Sequence, residues 1–113
     1  MTERLTSAML VSALVRRVNQ AGGSAMILAK GDATAGGILF LAYDRGTRPR
    51  FFERGIGPAG TPALLPSGPQ DIGDESQVTA YWQRRRGYDG DLWVVELDIA
   101  DAERFAAETT GLH

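Results

Sequence analysis

The chain has 113 residues, 43% of them hydrophobic and 23% charged, and a formal net charge of −2. That length predicts one domain over residues 1–113, large enough to bury a core without a metal or disulfide to hold it. Cysteine is absent and the single histidine is the last residue, His113, which excludes disulfides, thiol chemistry and cysteine-ligated metal, argues against a histidine general base, and makes a reducing cytoplasm the expected setting.

Thr6 or Ser7 is placed to cap a first helix running to about Gln20, with Gly22-Gly23 as its stop. Ala8, Val11, Leu14, Val15 and Val18 recur at helical spacing and form one apolar stripe, while Ser12, Arg16, Asn19 and Gln20 fall largely away from it. The run Ala8–Val15 is too short to span a membrane and ends in Arg16-Arg17. It also makes a poor secretory leader, because Glu3 offsets Arg4 ahead of it.

Ser24–Lys30 and Gly37–Tyr43 are apolar runs expected as strands buried on both faces. Gly31-Asp32 supplies turn chemistry after the first, and Asp44-Arg45-Gly46 ends the second. Arg48–Ile56 makes a third strand around Phe51-Phe52, with Pro49 confined to its start. Connections this short predict an antiparallel meander.

Residues 57–73 intersperse Pro58, Pro62, Pro66 and Pro69 with Gly57, Gly60, Gly68 and Gly73. The expectation is a long loop, with at most a short edge segment near Ala63–Leu65. Gly55-Ile-Gly57-Pro-Ala-Gly60 spells the dinucleotide fingerprint G-x-G-x-x-G. Three prolines in its wake forbid the helix whose amides would hold a pyrophosphate, so the match is fortuitous.

Asp74 and Gln77 fit a capping box opening a second helix that runs to Arg86, with Val78, Tyr81, Trp82 and Arg85 as its inner stripe. Arg84-Arg85-Arg86 complement the dipole at that helix end, the simpler reading beside an affinity for phosphate or an acidic partner. Arg16-Arg17 read the same way. Asp89-Gly-Asp91 forms a turn, and Leu92–Asp98 is the clearest strand. Trp93, Val95 and Leu97 share one face of it; Leu92, Val94, Glu96 and Asp98 share the other. Alternation assigns Trp93 to the core. Two turn acids are too few for a metal site by themselves; Glu96 and Asp98 could enlarge them to a carboxylate cluster, or one of these acids could pair with an arginine. Asp101 can cap a short last helix around Phe105.

Three segments carry a resemblance: Val11-Ser-Ala-Leu-Val-Arg-Arg17, Lys30-Gly-Asp32 with Ala35-Gly36, and Tyr88-Asp-Gly-Asp-Leu-Trp-Val-Val-Glu96. In their order they resemble a bacterial family, mostly alphaproteobacterial, known as DUF1491. Gly90 stands where the family pattern often has proline between the two aspartates. The resemblance implies a compact α+β protein and supplies no activity, substrate or partner. The positions matching a family site would be Arg16, Arg17, Gly31, Asp32, Arg85, Asp89, Asp91, Trp93 and Glu96.

Together these readings predict a two-layer α+β domain, an antiparallel sheet of about four strands with the two longer helices on one face and a short C-terminal helix. The leading functional expectation is a non-enzymatic cytoplasmic protein-binding or adaptor module without cofactor or bound metal. Its surface would combine Arg16, Arg17, Asp32, Arg85, Asp89, Asp91, Trp93 and Glu96. The alternative is a metal-dependent hydrolase or phosphoryl-processing enzyme using Asp89, Asp91 and Glu96. Residues 1–56 are basic on balance and 57–113 acidic, a split compatible with a weak homodimer. The acidic net charge makes nucleic acid the weakest candidate partner, and no membrane association is expected.

Overall fold

The computed structural model describes residues 5–111; Glu3, Arg4 and His113, which entered the reading above, lie outside the described residues. The elements run α1 (Ser7–Gln20), β1 (Ser24–Ala29), β2 (Ile38–Asp44), β3 (Thr47–Ile56), β4 (Pro62–Ser67), α2 (Glu75–Tyr88), β5 (Trp93–Asp98) and α3 (Ala102–Thr109). Thr6 caps α1 by accepting from the Met9 amide. Asp74 caps α2 by accepting from the Gln77 amide at 3.1 Å, as a capping box requires, but the Gln77 side chain accepts from the Gly73 amide, one residue ahead of the Asp74 amide that the reciprocal bond of the box would use. Asp101 precedes α3 in a left-handed conformation (φ 59°) and makes no side-chain cap bond.

The α+β class holds, but the sheet has five strands and is mixed, in the order β1-β5-β2-β3-β4. Of the meander expected for the first three strands, the antiparallel pairing of β2 with β3 holds, and β4 extends it on the far side of β3. It fails at β1, which pairs with β5 instead of β2. The late strand β5 takes an interior place between β1 and β2, where Val94, Val95 and Leu97 have no exposed surface. β5 runs parallel to β2, with Phe40 opposite Val95. A parallel neighbour needs a crossover, and β3, β4 and α2 together provide it.

Residues 57–73 contain the fifth strand. β4 occupies the sheet edge, where proline lacks a donor only on the side that has no neighbour to receive it, so Pro62 and Pro66 are compatible with pairing to β3. β1 forms the other edge, and Met26 on it is exposed rather than buried.

The helices also differ from expectation, because they occupy both faces. Val11, Leu14 and Val18 of α1 and Ala102 and Ala106 of α3 pack with Phe40, Ala42, Phe52, Trp93, Val95 and Leu97. Val78 and Tyr81 of α2 pack on the opposite face with Leu39, Leu41, Tyr43, Phe51, Leu92 and Val94. The result is three layers with two cores. The crossover explains it: α2 returns the chain from the β4 edge across one face, leaving the other to the helices at the two ends of the chain. Among the described residues, no helix is long and apolar enough to cross a membrane.

Candidate functional site

The segment Lys30–Gly36 is built as a buckle. Asp32 donates its amide to the Asp91 carbonyl at 3.0 Å, and the Trp93 indole Nε1 donates to the Asp32 carbonyl at 2.8 Å. The Asp32 carboxylate accepts from the amides of Thr34 and Ala35 at 3.2 and 2.9 Å, closing a turn on itself. The next residues receive the start of α1: Ser7 and Ala8 donate their amides to Thr34 and Ala33, and the Ser7 hydroxyl donates to the Gly36 carbonyl at 2.6 Å. Free donors at the head of α1 are thereby satisfied by the loop. A Cβ on Gly31 or Gly36 would lie 2.0 or 2.2 Å from the Asp91 carbonyl oxygen, so glycine is required at both. Trp93 is buried, as alternation predicted.

The three arginines at the end of α2 diverge. Arg84 is exposed, with its guanidinium 5.8 Å from the Tyr81 ring centre. Arg86 turns back to the carbonyls of Gly90 and Leu92, bracing the Asp89–Asp91 turn in which the Asp89 carboxylate accepts from the Asp91 amide. Arg85 does not reach Asp91 or Glu96. It grips Glu53 of β3 through two bonds of 2.6 and 2.8 Å, and its Nη1 also meets the Ser67 hydroxyl and Tyr81 phenol. The guanidinium holds the Glu53 carboxyl below the usual carboxylate range, against the opposing effect of burial.

Glu96 lies on the same sheet face without an arginine. Burial raises its carboxyl above the ordinary range, with smaller contributions from the charges of Glu75 and Asp98. The Tyr43 phenol donates to both oxygens of Glu75, at 2.7 and 2.9 Å, and burial together with that bond pushes its own proton loss up. Asp98 accepts the amides of Arg45 and Gly46 in the β2–β3 turn. Among the described residues, no three His, Cys, Asp or Glu side chains are close enough to hold a metal ion. Arg16 is exposed on α1, and Arg17 ties α1 to α3 through Thr109 and Glu108 at 2.7 and 3.1 Å. The eight residues singled out in the sequence are thus spread over both sheet faces and the loops between them. Asp32, Asp91 and Trp93 do converge, but through their backbone and the indole.

A different set of residues forms an opening. β3 carries Arg50, Phe52, Arg54 and Ile56 at two-residue spacing on the α1/α3 face. Arg50 is gripped by Glu103 of α3 at 2.7 and 2.8 Å, and this bond holds the Glu103 carboxyl below its usual range. The pair separates two cavities. One, of about 380 Å³, is lined by Asp44, Arg48, Ile99, Ala100 and Asp101. The other, of about 250 Å³, has Phe52, Leu64, Pro66 and Pro69 in its walls and Gln70 at its rim. Ile56 is 67% exposed at the outer end of the row. Among the described residues, Arg48 and Arg54 form no ion pair. Glu53, Arg50 and Glu103 were missed in the sequence, although Arg48–Ile56 already showed its alternation of cations and apolar residues.

A five-stranded mixed sheet between α1–α3 and α2, with the first loop buckled to the Asp-Gly-Asp turn, defines a small α+β domain class that has solved members. The chain matches the family described as "Protein of unknown function (DUF1491)" over residues 5–107, and it belongs to that family. It is similar to the crystal structure of a DUF1491 family protein from Caulobacter crescentus CB15, with 32% identity, a TM-score of 0.76, and coverage of 89% of this chain and 94% of that one. The NMR structure of a DUF1491 family protein from the same organism gives 32% identity, a TM-score of 0.73 and coverage of 92% and 94%. The solution structure of protein Atu0922 from A. tumefaciens gives 30% identity, a TM-score of 0.69 and coverage of 88% and 89%. Among curated proteins there is no match.

Proposed function

We propose that this chain is a non-enzymatic protein-binding module acting in the cytoplasm. The observation that carries the reading is the cleft of about 250 Å³ between β4 and α3, apolar through Phe52, Leu64, Pro66 and Pro69 and flanked by charged side chains. An apolar floor with a polar rim is the pattern of a protein-recognition surface. The polar groups marked in the sequence are largely engaged in bracing the fold, which moves the expected surface from Arg85 and Asp91 to β3 and β4.

A photo-crosslinking residue at position 70, on the rim of the cleft, tests this, with position 84 on the opposite face as control. The expected result in native extract is one discrete protein adduct from position 70 alone. That protein, once purified, should bind the wild-type chain and lose binding to a Pro66→Asp variant that still folds. Equal labelling from both positions, or binding indifferent to Pro66→Asp, would remove this cleft as the binding surface.

A further inference from the structure

On the α1/α3 face, the chain already demonstrates how β3 recognises a helix. Glu103, in the first turn of α3, lays its carboxylate across Arg50 in a two-point bond, while Ala102 and Ala106 of the same helix pack into the core beside Phe52. An acid on a helix, next to apolar residues, is thus what one arginine of this row accepts. Planar two-point recognition of a carboxylate is the geometry to which arginine is best suited.

Four residues along the same strand face, about 13 Å away at strand spacing, Arg54 repeats the arrangement without the acid. Among the described residues it has no ion pair. Its cross-strand partner is Leu64; Phe52 and Ile56 precede and follow it on the face, opposite Pro66 and Pro62. Arg54 is therefore an exposed cation set in an apolar strip, and the strip leads into the cleft. The β4 edge is a poor place for a partner strand to add, because Pro62 and Pro66 withhold donors from the six-residue strand. Recognition here has to run through the side chains of the face.

We infer that the strip Phe52–Arg54–Ile56 with Leu64 binds an amphipathic helix of a partner protein through an acidic residue on Arg54, flanked by apolar side chains on Ile56 and Leu64. This rests on the binding-module reading and supplies the chemistry of the partner. Charge complementarity selects an acid, and the apolar surroundings select a protein helix over a nucleic acid, whose phosphates would leave Ile56, Pro62 and Leu64 uncovered.

The test uses the full ¹⁵N-labelled chain and two synthetic helical peptides with the same leucine stripe, one with glutamate at its centre and one with lysine. Each is titrated to about 1 mM, the weak end of measurable association. The expected result is shifts centred on the amides of Phe52, Arg54, Ile56 and Leu64, with the glutamate peptide at least tenfold tighter. Arg54→Glu, an exposed position, should reverse the preference. Ile56→Lys should weaken both peptides. Equal affinity for the two peptides at this strip would overturn the acid-on-Arg54 inference and leave the binding module standing. Shifts confined to the outer edge of β4, or to β1, would overturn the strip as the site. No binding of either peptide would count against both. A single-stranded RNA oligonucleotide shifting the same amides more strongly than the glutamate peptide would overturn the choice of partner. So would dilution shifts at Ile56 showing that a second copy of the chain occupies the strip.

Discussion

β3 sends Glu53 to one face of the sheet and Arg50 to the other, and each meets a helix-borne residue of opposite charge in a two-point bond. The surroundings differ. Arg85–Glu53 is sealed by Ser67 and Tyr81, with 29% and 28% of the two side chains exposed. Arg50–Glu103 stands between two cavities, with 36% and 49% exposed. Similar geometry therefore carries different weight: a sealed pair leaves a desolvated charge behind when one partner is removed, whereas water replaces the partner of an open one. The sealed face serves stability, and the open one has surface to offer a partner.

Glu53→Ala is the most direct way to break this contrast. It should cost about 2 to 3 kcal/mol by urea unfolding, because Arg85 would be left partly buried and unanswered. Arg50→Ala should cost no more than about 1 kcal/mol, since its pair is more than a third exposed and screened. Equal losses would mean that the two faces are not different in kind.

Acid titration sharpens the same comparison. Glu53 and Glu103 are both held below the ordinary carboxylate range by their arginines. Their stabilisation is present above the unfolded-state value and is lost as pH falls through the depressed folded values. Glu53→Gln should flatten the acid limb of stability against pH more than Glu103→Gln does. Glu96 has the opposite sign, because burial raises it. Its relative stabilisation is present below the ordinary carboxylate value and lost as pH rises through the raised one. Glu96→Gln should therefore increase stability at neutral pH and lose that advantage in acid; a loss of stability at neutral pH would show that the charged form makes a favourable contact.

Removing one hydroxyl from the sealed network, by Tyr81→Phe, should cost about 1 kcal/mol, the usual net worth of such a bond. Ile56→Lys on the open face should stay within about 0.5 kcal/mol of wild type, as exposed positions do. A larger loss from Ile56→Lys would mean that this end of β3 supports the fold rather than presenting a surface.

Much of the secondary structure was legible because it is local. The stripe Val11-Leu14-Val15-Val18, the Asp74 cap on the Gln77 amide and the alternation through Trp93, Val95 and Leu97 are each contained within a few residues. β4 was obscured by its prolines, since a sequence does not reveal which strand will have an unpaired side. The family segments were legible as well, but their role was not. Gly31, Asp32, Asp91 and Trp93 look like a site in the sequence and fold into a buckle, because the groups that meet are largely backbone ones.

By itself, then, the sequence determined the family, the α+β class, the identity of most elements and, except on β1, most of the residues that face the core, all consequences of short-range spacing. Only the tertiary structure decided that β5 enters between β1 and β2, that α1 and α2 take opposite faces, and that Arg85 belongs to Glu53 while Arg50 belongs to Glu103. The two arginines look alike in the chain. Their partners lie 32 and 53 residues away, and the order of strands determines which charges come within bonding distance and which, like Arg54, are left to face outward.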